Sequence, residues 1–163
     1  MTPFIALGRL LDDLVETLID VTPEVYVAKP MPGVSGSVGE HVRHTLDHIA
    51  ALVNADGLEP LSYDHRHRGT AIESDLGAAV DRIFHLLAAI ERRSDRSADD
   101  RVLVTSMLPG GDVVAAWSSL GRELAFVASH TIHHQAQIAL LLAFHGIGVA
   151  RNFGYAPSTL AAG

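Results

Sequence analysis

The chain contains no cysteine. That absence excludes disulfides, thiolate zinc sites and cysteine nucleophiles. Any bound metal must then be held by imidazole nitrogen and carboxylate oxygen, a donor set that suits Zn, Ni, Fe, Mn or Co. Long hydrophobic runs are also missing. The longest, Ile138 to Phe144, falls far short of the roughly 20 residues that cross a bilayer, so no membrane span is expected. The opening Met1-Thr-Pro-Phe-Ile-Ala6 lacks the charged stretch and cleavage pattern of a secretory signal, and a cytoplasmic location is expected. Positive charge is scarce: 12 Lys and Arg stand against 19 Asp and Glu, a formal net charge of −7. A broad nucleic-acid surface needs a basic patch, so no nucleic-acid partner is expected. Local basic groups do occur, at His65-Arg-His-Arg68 and at Arg92, Arg93 and Arg96. The arginines at 92 and 93 close a helix, where cations favour the C-terminal dipole.

Several catalytic signatures are absent as well. There is no Gly-x-Ser-x-Gly elbow and no phosphate-binding glycine loop, and no Glu follows His130 to make the His-Glu-x-x-His pattern of zinc proteases. What the chain does have is histidine. Six of its ten histidines fall in two short runs, His41-Val-Arg-His44-Thr-Leu-Asp-His48 and His130-Thr-Ile-His133-His134. Histidines at i and i+4 stack on one helix face and can share one ion. A third imidazole from the other run would complete a three-nitrogen site with coordination positions left open, the form of a catalytic rather than a structural centre.

With 163 residues, a single domain over 1–163 with a full core is expected. Four segments carry helical periodicity. The first repeats Phe4, Leu7, Leu11, Leu14 and Leu18, and ends by Thr22-Pro23 and the Pro30-Met-Pro-Gly33 turn. The second opens on Ser37-Val-Gly-Glu40, a capping-box pattern, and runs to about Val53. The third follows a second such pattern, Thr70-Ala-Ile-Glu73, and repeats Leu76, Val80, Ile83, Leu87 and Ile90. The fourth starts near Ser118, repeats Leu120, Leu124, Val127, Thr131, His134, Ile138 and Leu141, and ends at Gly146. Between the third and fourth, Arg101 to Thr105 and Gly110 to Val114 flank a Pro109-Gly-Gly turn and read as a short hairpin or an extended crossover. The fold class is therefore all-α, a four-helix bundle with long crossover connections. Ile5, Ile19, Leu140 and Phe144 widen the apolar faces beyond their stripes, and a homodimer is expected.

At about 100° per residue, Val127, His130, His134, Ile138 and Leu141 cluster within roughly 80°, so both histidines face the core while His133 points to the bundle edge. In the second helix, Val42, Leu46, Ile49 and Val53 form the apolar stripe, and His41, His44 and His48 border it. Spacing leaves His44 and His48 open as the third ligand; His41, near the helix start, reads as part of the solvated face. Glu123 lies about two turns before His130 on the same face. Its carboxylate is the candidate catalytic group, able to orient a ligand histidine, to act as a base, or to pair with an arginine. Asp47 is a candidate acceptor for an imidazole N–H.

Ser37-Val-Gly-Glu-His-Val-Arg-His44, Tyr63-Asp-His-Arg-His-Arg-Gly-Thr-Ala-Ile-Glu73, Gly121-Arg-Glu-Leu-Ala-Phe-Val-Ala-Ser-His-Thr-Ile-His-His134 and Phe153-Gly-Tyr-Ala-Pro-Ser-Thr159 together resemble the DinB/YfiT-like superfamily. The resemblance spans roughly residues 4 to 160. It implies a metal-dependent four-helix bundle that binds a divalent ion (Zn, Ni, Fe or Mn) through His44, His130 and His134, with His133 not a ligand. Superfamily members include transferases and isomerases that use low-molecular-weight thiols. The resemblance thus implies a small-molecule substrate, with a thiol-dependent S-transferase or a metal-assisted hydrolase as the activity and a low-molecular-weight thiol as cosubstrate. The alternative is a non-catalytic dimeric module for small-ligand or metal sensing. The Tyr63 to Glu73 block has no assigned metal role; Asp64, Arg66 and Arg68 would close over the metal face or lock a loop to the bundle.

Overall fold

The computed structural model describes residues 4–29, 35–64, 68–93 and 95–162. The Pro30 to Gly33 turn and His65, Arg66 and His67 lie outside these. The chain is mostly helical: α1 Ile5–Leu18, α2 Pro23–Val27, α3 Val38–Asn54, α4 Ala71–Ser74, α5 Leu76–Glu91, α6 Leu120–Phe144 and α7 Pro157–Ala161. Three strands, β1 Leu61–Ser62, β2 Arg101–Met107 and β3 Val113–Ser119, form one small sheet in the order β1-β2-β3. The all-α expectation is corrected by this sheet. Hairpin, not crossover, is the form of the 101–119 segment, with β2 and β3 antiparallel from Arg101↔Ser119 to Met107↔Val113. Thr, Val and Trp at these positions suit the pleated backbone. The parallel pairing of β1 with β2, Leu61↔Val104, has no local sequence signal.

The long helices follow their periodicity. Leu7, Leu11, Leu14 and Leu18 of α1 are buried, and they meet Ile49 of α3, Ile83 of α5 and Val127 and Ile138 of α6 in one core. Packing joins α3 to both α5 and α6, and α1 to the same two helices. Gln135 of α6 adds a polar tie, its amide donating to the Leu10 carbonyl of α1 at 3.0 Å. Among the described residues, no helix is long and apolar enough to cross a membrane.

Ends of helices show where local signals held and where they did not. At α3 the capping box forms in both directions: Glu40 N donates to Ser37 Oγ at 3.2 Å and Ser37 N to Glu40 Oε2 at 2.7 Å. The second pattern, Thr70 to Glu73, does not form a box; Thr70 makes no capping bond. Glu73 is drawn away by other donors, the distant Arg43 Nε at 2.8 Å and the nearby Gly69 N at 2.9 Å. The chain makes only the one turn of α4, and Asp75 then caps α5 by accepting from Gly77 N and Ala78 N at 2.8 and 3.2 Å. Helix α6 starts two residues later than expected, because β3 runs through Ser119, whose hydroxyl then caps the helix. Its far end is a Schellman closure: Ile147 N donates to Leu142 O and Gly146 N to Ala143 O, at 2.9 and 3.0 Å. Gly146 has φ +74°, which a side chain would resist.

Candidate metal centre

Helices α3 and α6 bring the two histidine runs face to face. His130 Nε2 lies 3.0 Å from His44 Nε2 and 3.2 Å from His134 Nε2. The three ligand atoms all lie within 4.8 Å of one another. His48 stacks on His130 with ring centroids 4.3 Å apart, while His41 contacts His134 through Nδ1 atoms 2.9 Å apart. The earlier histidine of one run thus meets the later histidine of the other, so α3 and α6 run antiparallel at this level. His133 is exposed at the outer edge, as its phase on the helix predicts.

Two nitrogens that each stand about 2.1 Å from a single ion are about 3.0 Å apart at a right angle and about 3.4 Å apart at a tetrahedral one. The spacings of 3.0 and 3.2 Å fit that geometry. A proton on any one of these Nε2 atoms would point at a neighbouring lone pair; an ion would accept all three lone pairs together. Burial, followed by the neighbouring rings of His130, His41, His133 and His48, pushes His134 down to about 3. It is therefore a neutral imidazole at ordinary pH, the form that ligates a metal. The residues present fit a divalent ion. His44 and His134 also line a surface cleft of roughly 380 Å³ with His41, Arg43, Arg68 and Glu73, so small molecules have access to this edge of the cluster.

His41 is a correction. It does not belong to a solvated face: its ring is partly buried, its Nδ1 contacts His134, and its Nε2 is buried without a hydrogen-bond partner. Burial lowers its pKa; the Ser35 backbone and Glu40 work in the other direction, Ser35 lying near enough to act on its charge but outside bonding geometry. The signal that could have found it is its step of three to His44, which keeps it on the histidine stripe. His48, the rival of His44, is 5% exposed and bonds its own helix, Nδ1 to His44 O at 3.1 Å.

The carboxylates pair elsewhere. Glu123 is 1% exposed and accepts from Tyr63 Oη at 3.0 Å, Ser118 Oγ at 2.6 Å and Arg122 Nη1 at 3.0 Å. Of its three anticipated partnerships, the arginine pair is the one seen here. Burial and the Glu123 charge push the Tyr63 phenol far up, which keeps it a hydrogen-bond donor. Asp47 accepts from Arg43 Nη1 at 3.1 Å, that buried guanidinium lying one turn away. Arg43 also holds Glu73, which in turn holds Gly69, and Asp64 accepts from Met107 N at 2.7 Å. The described part of the Tyr63 to Glu73 block is thereby locked to α3 and the sheet, with Arg68 at the cleft. Close approach at this junction requires Gly39, where a Cβ would stand 2.1 Å from the Glu73 carbonyl.

A family model described as the DinB superfamily matches residues 6–138. The chain belongs to the DinB superfamily. It is 37% identical over 102 residues to FK506-binding protein 5 of Rhizopus delemar, a match that covers 61% of this chain and 26% of the relative. The chain thus spans about a quarter of that curated relative's length. No solved structure matches it.

Proposed function

We propose that the chain is a cytoplasmic metal-dependent enzyme, a single four-helix-bundle domain over residues 1–163 that acts as a homodimer. In this reading His44, His130 and His134 hold a divalent ion (Zn, Ni, Fe or Mn) through their Nε2 atoms. The observation that carries it is the convergence of those three nitrogens, at 3.0 and 3.2 Å about His130, beside an accessible cleft. A bound ion would lower the pKa of a thiol or water that reaches it and so supply a nucleophile at neutral pH. The activity that follows is S-transfer from a low-molecular-weight thiol to a small molecule, or hydrolysis. Three protein nitrogens leave coordination positions open, as catalytic rather than structural sites do.

Glu123 contributes to turnover as a buried carboxylate held beside the site by Tyr63, Ser118 and Arg122. Tyr63 connects it to the histidines by stacking on His48. The test is elemental analysis of untagged protein with a screen for thiol consumption and ester or amide hydrolysis. One divalent ion per chain and metal-dependent turnover are expected; protein that takes up no ion when offered Zn, Ni, Fe and Mn would overturn the reading.

A further inference from the structure

We propose that His41 is the positioning residue of this centre: it receives the Nδ1 proton of His134 and thereby aims the Nε2 lone pair of that ring at the ion. The inference rests on the metal-site reading above. A neutral imidazole has one N–H and one bare nitrogen. Ligation through Nε2 leaves the only proton of His134 on Nδ1. That atom lies 2.9 Å from His41 Nδ1, with the two rings tilted by 43°. One proton occupies such a contact. When His134 donates it, His41 accepts at Nδ1 and carries its own proton on Nε2. In the opposite arrangement His41 donates, and the proton of His134 moves to Nε2, where it points at His130 and blocks ligation.

The local fold holds His41 in place for this task. It follows directly on the Ser37–Glu40 capping box, and its own N–H donates to Ser37 O at 3.1 Å, the first backbone bond of α3. The helix start is therefore fixed one turn before the ring. Gly36 precedes the cap in a left-handed conformation, φ +91°, that a side chain would resist. The acceptor is also an imidazole rather than a carboxylate. A carboxylate in this position would orient His134 equally well but would add negative charge to the ligand set; an imidazole orients the ring and leaves the ion more electrophilic.

The experiment compares untagged wild type, His41→Leu and His41→Asn. Zinc affinity is measured by competition with a chromophoric chelator, and the protonated nitrogen of His134 is read by long-range proton–nitrogen NMR of the ring. In zinc-loaded wild type the His134 proton is expected on Nδ1. His41→Leu should lose about 10- to 100-fold in zinc affinity, as outer-sphere partners of ligand histidines do. His41→Asn places an oxygen acceptor near the lost nitrogen and should recover most of that loss, which a purely structural role would not predict. Wild-type affinity in His41→Leu, or ligation of His134 through Nδ1, would overturn the inference alone. Ligation of His134 through Nδ1 would be seen in wild type alone, and His41→Asn carries the affinity test if His41→Leu fails to fold. Wild type that binds no zinc would overturn the metal-site reading and this inference with it.

Discussion

The ring of Tyr63 lies flat on the imidazole of His48, 5.3 Å between centroids and 5° from parallel, while its hydroxyl donates to Glu123 at 3.0 Å. A residue from the segment after β1 thus joins the buried carboxylate of α6 to the histidine cluster of α3. Tyr63→Phe keeps the stack and removes the bond. Hydrogen bonds to charged groups contribute about 1.5–3 kcal/mol, so a stability loss near the lower end of that range is expected, read from urea unfolding. Ser118 and Arg122 still hold the carboxylate, and metal content should not change.

Glu123→Gln separates charge from shape. The amide fills the same space but turns an N–H₂ group toward the donors that a carboxylate satisfies. Metal content should stay at wild-type level while turnover falls by about ten- to a thousandfold, the scale of general-base and outer-sphere losses. Steady-state kinetics beside elemental analysis decides it. Unchanged turnover with full metal would remove Glu123 from the functional reading.

Ligand variants test the centre itself. His44→Ala, His130→Ala and His134→Ala should each abolish stoichiometric metal binding, because two remaining nitrogens make a weak, poorly shaped site. His133→Ala, with its exposed ring, should retain it. Full metal content in untagged His130→Ala would contradict the assignment.

Arg43 is the structural pivot of the cleft wall. It is 7% exposed and pairs with Asp47 and Glu73. Arg43→Met keeps much of the side-chain length and leaves two carboxylates facing each other without their cation. Breaking a buried pair from one side costs about 3–5 kcal/mol; a value near the lower end is expected, since Asp47 and Glu73 keep 25% and 17% of their side-chain exposure. The unfolding midpoint should drop accordingly, and proteolysis near Gly69 should quicken.

The proposed homodimer is tested in solution. Ile19, Leu140 and Phe144 are 75%, 59% and 58% exposed in the single chain, and Ile5 38%. Light scattering at high micromolar concentration should report a dimer, and Leu140→Lys with Phe144→Glu should shift it to monomer. Monomer in the wild type would refute the expectation.

Features encoded within one or two helical turns were legible in the sequence. The α1 stripe, the Ser37 cap and the Gly146 closure depend only on neighbours in the chain, and the facing of His130 and His134 follows from their i, i+4 step. The choice of His44 over His48 came from family resemblance, because both border the same stripe. Features set by distant packing were not legible. His41 reaches His134 only because α3 and α6 run antiparallel in this register. Thr70 to Glu73 has the letters of a capping box, yet Arg43, far back in the chain, claims the carboxylate. Gln135 looks like a polar interruption of α6 until Leu10 supplies its partner. The β1–β2 pairing likewise joins segments separated by all of α5.

His130 stands ten residues in from Leu120 and His134 ten residues short of Phe144, so the pair occupies the middle of the longest helix. Helix ends fray; the interior of a packed helix opens only when the domain unfolds. The ligand set is therefore assembled by folding itself, unlike small zinc modules whose fold waits for the ion. Metal-free protein should keep a finished receptor, and amide exchange at residues 130 and 134 should be as slow with the ion stripped away as global unfolding allows.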